Sequence, residues 1–297
     1  MSDQLPQTES INPRTAGLDE MPVGDLVRIL AAEQRAAVDA VVSISDLLAI
    51  AVEEIASRLR AGGRLHYVGA GTSGRLGFLD ASEMPPTFGT DPALVCGHIA
   101  GGIGALTRAV EGAEDDAEAG EREMREHVQS GDAVVGISAS GGAPFVLGAL
   151  RAARSIGAWT LGIANSPGAP LTQPQACDLG IVLSTGPEPL TGSTRLKAGT
   201  SQKVLLNTLS TAVMVRLGKV HDNLMVDVVA TNQKLRKRAL RLVMQLGSVD
   251  ESRAAELLQQ AGGSVKTAVV MQRKNVDADG ARSLLQARAG SLRASLS

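Results

Sequence analysis

Between residues 22 and 61 the apolar positions recur at helical spacing: Leu26, Ile29, Leu30 and Ala37, then Val41, Ile44, Leu47 and Leu48. Residues three and four apart share one face of a helix, so the run predicts two amphipathic helices, stopped by Gly62-Gly63. Residues 1–20 are polar, contain Asn12-Pro13 and Gly17, and read as an extended lead-in. From residue 64 the pattern changes. Short apolar runs at 64–68, 93–97, 133–138, 158–163 and 179–184 read as strands. They alternate with helical periodicity over 73–81, 102–128 in two pieces, 143–156 and 196–217. Such alternation predicts an α/β fold, a doubly wound parallel five-stranded sheet with helices on both faces. After residue 220 no strand candidate remains. A basic helical stretch, Lys234 to Arg241, leads into short segments around Gly262-Gly263 and Gly280. The predicted organisation is a lead-in with helices over 1–54, the sheet domain over 55–218, a connecting helical segment over 219–245 and a small C-terminal helical module over 246–297.

Composition narrows the partners. The chain has 297 residues, with 29 Lys and Arg against 31 Asp and Glu, a net charge of -2 that offers no basic surface to nucleic acid or an anionic membrane. Aromatics are 2% of the chain, too few for base-stacking platforms, so small aliphatic residues must fill the core. Cys96 and Cys177 lie in separate strand-like runs and read as two buried reduced thiols. The N-terminus is polar and acidic, unlike a signal peptide, and no run of about 18 apolar residues occurs. A cytoplasmic protein without membrane contact is expected.

In open parallel sheets, ligands sit at the carboxyl ends of the strands. Two Gly- and hydroxyl-rich turns fall at such ends: Gly69-Ala70-Gly71-Thr72-Ser73-Gly74 and Ser138-Ala139-Ser140-Gly141-Gly142. Each can aim backbone N–H groups and hydroxyls at an anion beside a helix N-terminus, which suits a phosphorylated small molecule. The first turn also spells G-x-G-x-x-G. A dinucleotide site would want a carboxylate at the end of the next strand, and Val95-Cys96-Gly97-His98-Ile99 has none. Thr72 and Ser73 therefore point to phosphate rather than to a nicotinamide or flavin cofactor. Pro85-Pro86 is expected to end the helix after the first turn, leaving Glu83 at a stiff corner near it. Glu111 to Asp116 form a second acidic cluster, and Thr191 to Thr200 mix hydroxyls with Arg195 and Lys197 at a further helix start. The histidines His66, His98, His127 and His221 show no metal spacing and no cysteine joins them, so neither metal nor other cofactor is expected.

The turns together resemble a sugar isomerase (SIS) domain. Longer strings are more specific: Gly69 to Gly77 (GAGTSGRLG), Leu79 to Gly89 (LDASEMPPTFG), Ala100-Gly101-Gly102, Ala109 to Asp116 (AVEGAEDD), Thr191 to Gly199 (TGSTRLKAG) and Gly218 to Asn232 (GKVHDNLMVDVVATN). With the lead-in Thr8 to Pro13, they resemble the N-acetylmuramic acid 6-phosphate etherase family along nearly the whole chain. The run Gly262 to Ala268 is similar to the second-helix start of ubiquitin-associated three-helix folds. The resemblance implies a homodimer acting on a phosphorylated amino sugar. The lactyl ether at C3 leaves once the C2 proton, acidified by the C1 aldehyde of the open ring, is removed, and water then adds to the double bond. Two carboxylates in unlike environments suffice for such proton transfers. By resemblance Glu83 matches the acid that assists lactate departure and Glu114 the second catalytic carboxylate, the C2 base. Thr72, Ser73, Ser138, Ser140 and Ser193 match hydroxyl positions around the phosphosugar.

There are departures from the family pattern. Gly142-Ala143 stand where Arg-Thr is usual, which removes one cation and one hydroxyl near the phosphate, and Met84 replaces a usual Cys. Two other readings compete: an SIS aldose–ketose isomerase, against which the Glu111 to Asp116 cluster and the PPTFG corner weigh, and a non-catalytic sugar-phosphate sensor, against which the presence of both Glu83 and Glu114 weighs.

Overall fold

A computed structural model describes residues 6–228 and 233–297. The chain divides into two compact units, Met1–Ser82 with Ala93–Ser210, and Glu83–Pro92 with Thr211–Ser297. The cuts after Ser82 and after Ser210 both fall inside continuous helices, where the periodicity does not change.

In the first unit the lead-in is not extended. It makes short 3-10 turns at Gln7–Glu9, Pro13–Thr15 and Leu18–Glu20. The reason is polar anchoring: buried Asn12 donates its side-chain amide to Glu33 Oε2 at 2.8 Å and to the carbonyl of Pro187 at 3.2 Å. Three helices follow, α1 (Val23–Glu33), α2 (Arg35–Val42) and α3 (Ser45–Arg60), where the spacing predicted two. The α1–α2 break is the single residue Gln34, which leaves the apolar rhythm in phase across it.

Next come β1 (Leu65–Gly69), α4 (Gly71–Phe88), β2 (Val95–Ile99), α5 (Ala117–His127), β3 (Ala133–Ile137), α6 (Pro144–Ile156), β4 (Trp159–Ala164), β5 (Leu179–Val182) and α7 (Lys197–Arg216). The five strands form one parallel sheet in the order β2-β1-β3-β4-β5. Alternate residues face opposite sides. On one side Val68 and Val134 pack with Phe145, Val146 and Leu150 of α6 and Met124 of α5. On the other, the Tyr67 hydroxyl donates to Asp80 Oδ2 of α4 at 2.9 Å, and Asn207 and Ser210 of α7 donate to Asp80 Oδ1 at 2.7 and 3.1 Å. Burial raises the Asp80 carboxyl above its ordinary value, against the lowering effect of these donors. Helices α5 and α6 cross at glycines: a Cβ on Gly148 would lie 2.2 Å from the Ala117 carbonyl oxygen. Cys177 is buried, whereas Cys96, expected to be buried, is half-exposed on the edge strand; neither forms a disulfide. The predicted helix pieces over 102–128 resolve into 3-10 turns at Ile103–Leu106 and Ala113–Asp115 and then α5.

Pro85-Pro86 do not end α4, which runs on to Phe88 with both prolines inside it. They sit in its last turn, so only the carbonyls of Ala81 and Ser82, one turn back, lose their helical donors before the helix ends. Met84 and Phe88, four apart and each 4% exposed, anchor that turn from one face, and Gly89 ends it at φ +60°.

In the second unit, β6 (Val220–His221) and β7 (Leu224–Met225) form a small antiparallel pair. Five helices follow: α8 (Gln233–Gly247), α9 (Glu251–Gln260), α10 (Val265–Lys274), α11 (Ala278–Ala287) and α12 (Leu292–Leu296). Their core includes Val226, Leu242, Val243, Leu257, Val269 and Val270. Ser264 accepts from the Thr267 amide and caps α10, at the run flagged in the sequence. Buried Lys266 of α10 gives all three ammonium protons to acceptors: the carbonyls of Gly218 at 2.8 Å and Gly290 at 2.7 Å, and Asp227 Oδ2 at 2.7 Å. A charge so surrounded can sit in a core.

Candidate active site at the strand ends

β1 ends at Gly69, one residue intervenes, and α4 begins at Gly71. The first-turn amides of α4 therefore have no acceptor within the helix. The turn is this tight because Gly69 and Gly74 touch: a Cβ on Gly74 would lie 2.7 Å from the Gly69 oxygen. At the parallel end of β3, the Ser138 hydroxyl accepts the Gly141 amide at 3.1 Å and the Ser140 hydroxyl accepts the Gly142 amide at 3.3 Å. Both hydroxyls keep their own protons for an outside acceptor.

These turns border a cavity of about 540 Å³ within the first unit. Thr72, Ser73, Glu114, Ser138 and Ser140 all line it. Ser193 does not, though its neighbours Gly192 and Thr194 do. Glu83 is not among the lining residues either. It lies exposed near the C-terminal end of α4, in the second unit. Ser73 is committed internally: its hydroxyl donates to Gln202 Oε1 at 2.8 Å, Gln202 donates to Asn165 at 2.9 Å, and Asn165 donates to Ser201 at 2.8 Å. This buried chain locks the start of α4 against α7. Glu114 sits exposed on the Ala113–Asp115 turn.

Sequence reasoning assigned no role to several lining residues. Thr8 and Glu9 of the lead-in reach the cavity, held by the Gly192 amide donating to the Thr8 carbonyl at 3.1 Å. The Thr8 hydroxyl is buried without a partner. The Thr8 to Pro13 string signalled this segment, but only folding carries it to the strand ends. Asp115 also lines the cavity. Among the described lining residues there are three carboxylates, Glu9, Glu114 and Asp115, and no Lys or Arg. Gly142 and Ala143 occupy the rim where a cation and a hydroxyl are usual in the resemblance. An anion here would rest on backbone amides and hydroxyls alone. A smaller cavity of about 190 Å³ shares Ala70, Gly71 and Glu114 and adds Arg75. Arg75 Nε donates to the carbonyls of Ala105 and Leu106 at 3.0 and 3.2 Å, which pins the turn after β2.

The profile of the glucokinase regulatory protein N-terminal SIS domain matches residues 47–154. Similarity to curated proteins is greater. The N-acetylmuramic acid 6-phosphate etherase of Symbiobacterium thermophilum is 51% identical over 263 residues, 89% of this chain and 87% of that protein. That of Deinococcus radiodurans is 51% identical over 265 residues, 89% and 86% of the two chains. The chain belongs to the N-acetylmuramic acid 6-phosphate etherase family. Among solved structures, a phosphoheptose isomerase from Francisella tularensis superposes with a TM-score of 0.51 at 17% identity, covering 66% of this chain and all of that one, which shows the shared SIS fold.

Proposed function

We propose that this protein cleaves the lactyl ether of N-acetylmuramate 6-phosphate, giving N-acetylglucosamine 6-phosphate and (R)-lactate as a carbon–oxygen lyase followed by hydration, in the recycling of cell-wall amino sugars. The observation that carries the reading is one cavity holding both an amide-and-hydroxyl cradle and the carboxylate of Glu114. The cradle of Thr72, Ser138, Ser140 and the α4 amides receives the phosphate, with Ser73 shaping it and Ser193 contributing from the loop before α7. Glu114 takes the C2 proton of the open-chain sugar. The electron pair moves into the C2–C3 bond and the C3–O bond breaks. The family resemblance, rather than the cavity lining, gives Glu83 the part of protonating the departing lactate oxygen, and water adds across the double bond. Each proton transfer is worth about 10²–10⁴-fold in rate. Lactate leaves with a carboxylate of its own, and Arg75 in the adjoining cavity is the cation suited to it.

A charged sugar phosphate does not cross membranes, which supports a cytoplasmic location. Val23, Val27, Val38, Val42 and Ile50 are exposed on α1–α3, and such an apolar face supports a homodimer. Incubation with N-acetylmuramate 6-phosphate tests the reading: lactate release is expected. A ketose product without lactate would make the chain an isomerase, and binding without turnover would make it a sensor.

A further inference from the structure

Three of the four histidines meet on the α5 side of the sheet. His66 and His98 are diagonal neighbours on β1 and β2, their rings stacked with centroids 5.2 Å apart. His66 Nε2 lies 3.2 Å from Asp132 Oδ2, and His66 Nδ1 lies 3.0 Å from His98 Nε2. Asp132 is held as an acceptor by the backbone amides of Arg64 and Gln129, each at 2.8 Å. His66 must therefore donate from Nε2, which leaves its Nδ1 to accept from His98 Nε2. His98 Nδ1 is left with a lone pair, and it faces Glu123 Oε1 at 2.7 Å. A proton on His98 Nδ1 joins these two atoms in one state of the pair, and a metal cation can take the place of that proton. A third donor converges there. His127, one turn beyond Glu123 on α5, gives its Nδ1–H to the Glu123 carbonyl at 2.9 Å, which leaves Nε2 free to ligate. One ligand atom from each of His98, Glu123 and His127 lies within 4.8 Å of the others.

We propose that His98, Glu123 and His127 form a divalent-metal site, suited to Zn²⁺, that clips the edge strand β2 to the last turn of α5. Two imidazoles and one carboxylate are a borderline-metal donor set, with a fourth position open to water. Tetrahedral zinc spaces its ligand atoms about 3.3 Å apart, which rotation of the part-exposed Glu123 and His127 side chains can reach. Both ligand imidazoles have their second nitrogen already anchored, His127 on a backbone carbonyl and His98 through His66 on Asp132. Outer-sphere support of this kind characterises metal sites and is worth about 10–100-fold in affinity. No residue of the site lines the cavity at the strand ends.

Untagged protein, freed of metal by dialysis against a chelator, is titrated with Zn²⁺ by calorimetry and with Co²⁺ by visible spectroscopy. One ion per chain, a raised Tm and tetrahedral Co²⁺ bands are expected, with no competition from Mg²⁺. His127→Ala and Glu123→Gln change part-exposed side chains and should keep the native circular dichroism while weakening Zn²⁺ binding at least tenfold. Glu114→Gln should leave it unchanged. Absence of saturable binding, undiminished affinity in His127→Ala, or loss of binding in Glu114→Gln would each overturn the proposal.

Discussion

Replacing Lys197 with Met removes the cation of a buried ion pair while nearly keeping the side-chain volume. Lys197 is fully buried, and its ammonium lies 3.1 Å from Glu33 Oε2, with the Glu33 side chain 5% exposed. Without Lys197, Glu33 keeps the Asn12 amide at 2.8 Å and Arg14 at 3.0 Å, but the Arg14 side chain is 66% exposed. Breaking a buried pair costs about 3–5 kcal/mol, and the two remaining partners place this case at the low end, about 3 kcal/mol. For a unit of about 200 residues that lowers Tm by about 6–12 °C. Neutralising both ends in Lys197→Met/Glu33→Gln should recover about 1–2 kcal/mol, because no charge is then stranded. The cost is also pH-dependent. Burial pushes the Glu33 carboxyl up, but Asn12, Lys197 and Arg14 together hold it below its ordinary 4.5. A depressed carboxylate contributes stability that is present above the unfolded value and lost as pH falls through the folded one. The gap between native protein and variant should thus be full near neutrality and close as pH drops below 4.5. Thermal and urea unfolding by circular dichroism at several pH values measure it. A loss under about 1 kcal/mol, a gap independent of pH, or a double variant as unstable as the sum of its singles would refute the argument. Because Asn12 and Arg14 belong to the lead-in that carries Thr8 and Glu9 to the cavity, the variant should lose activity below its new Tm as well.

Glu114→Ala should abolish both lactate release and exchange of the C2 proton with solvent deuterium, whereas Glu83→Ala should abolish release and spare exchange; NMR of the recovered sugar reads both, and the opposite pattern would swap the two roles. Gly142→Arg with Ala143→Thr restores a cation and a hydroxyl at the cavity rim, and a hydrogen bond to a charged group is worth about 1.5–3 kcal/mol, so KM should fall about tenfold or more. An unchanged KM would mean that backbone amides already saturate the phosphate. Gly148→Ala drives a methyl against the Ala117 carbonyl at 2.2 Å and should cost about 1–3 kcal/mol in unfolding experiments. Unaltered stability would show that the α5–α6 crossing relaxes freely.

Local pattern was enough for the sheet. Each predicted strand lies within two residues of an observed one, because fully buried parallel strands are uninterrupted apolar runs between helical stretches. The two hydroxyl-rich turns were equally legible at the strand ends, since a tight strand-to-helix turn demands glycine. Where the sequence misled, the deciding forces were local exceptions. A one-residue break at Gln34 does not disturb helical phase, and buried Met84 and Phe88 carry α4 through two prolines. What only tertiary structure decided is which distant side chains share space. Thr8 and Glu9 reach the cavity because Asn12 and Arg14 dock on Glu33, a contact spanning about twenty residues that no periodicity encodes. His66, His98 and His127 have no ligand-like spacing, yet parallel pairing of β1 with β2 and the return of α5 bring them together on one face. Composition and periodicity report which faces are buried. They do not report which faces meet, because strand order, register and helix crossing are set by packing of the whole sheet.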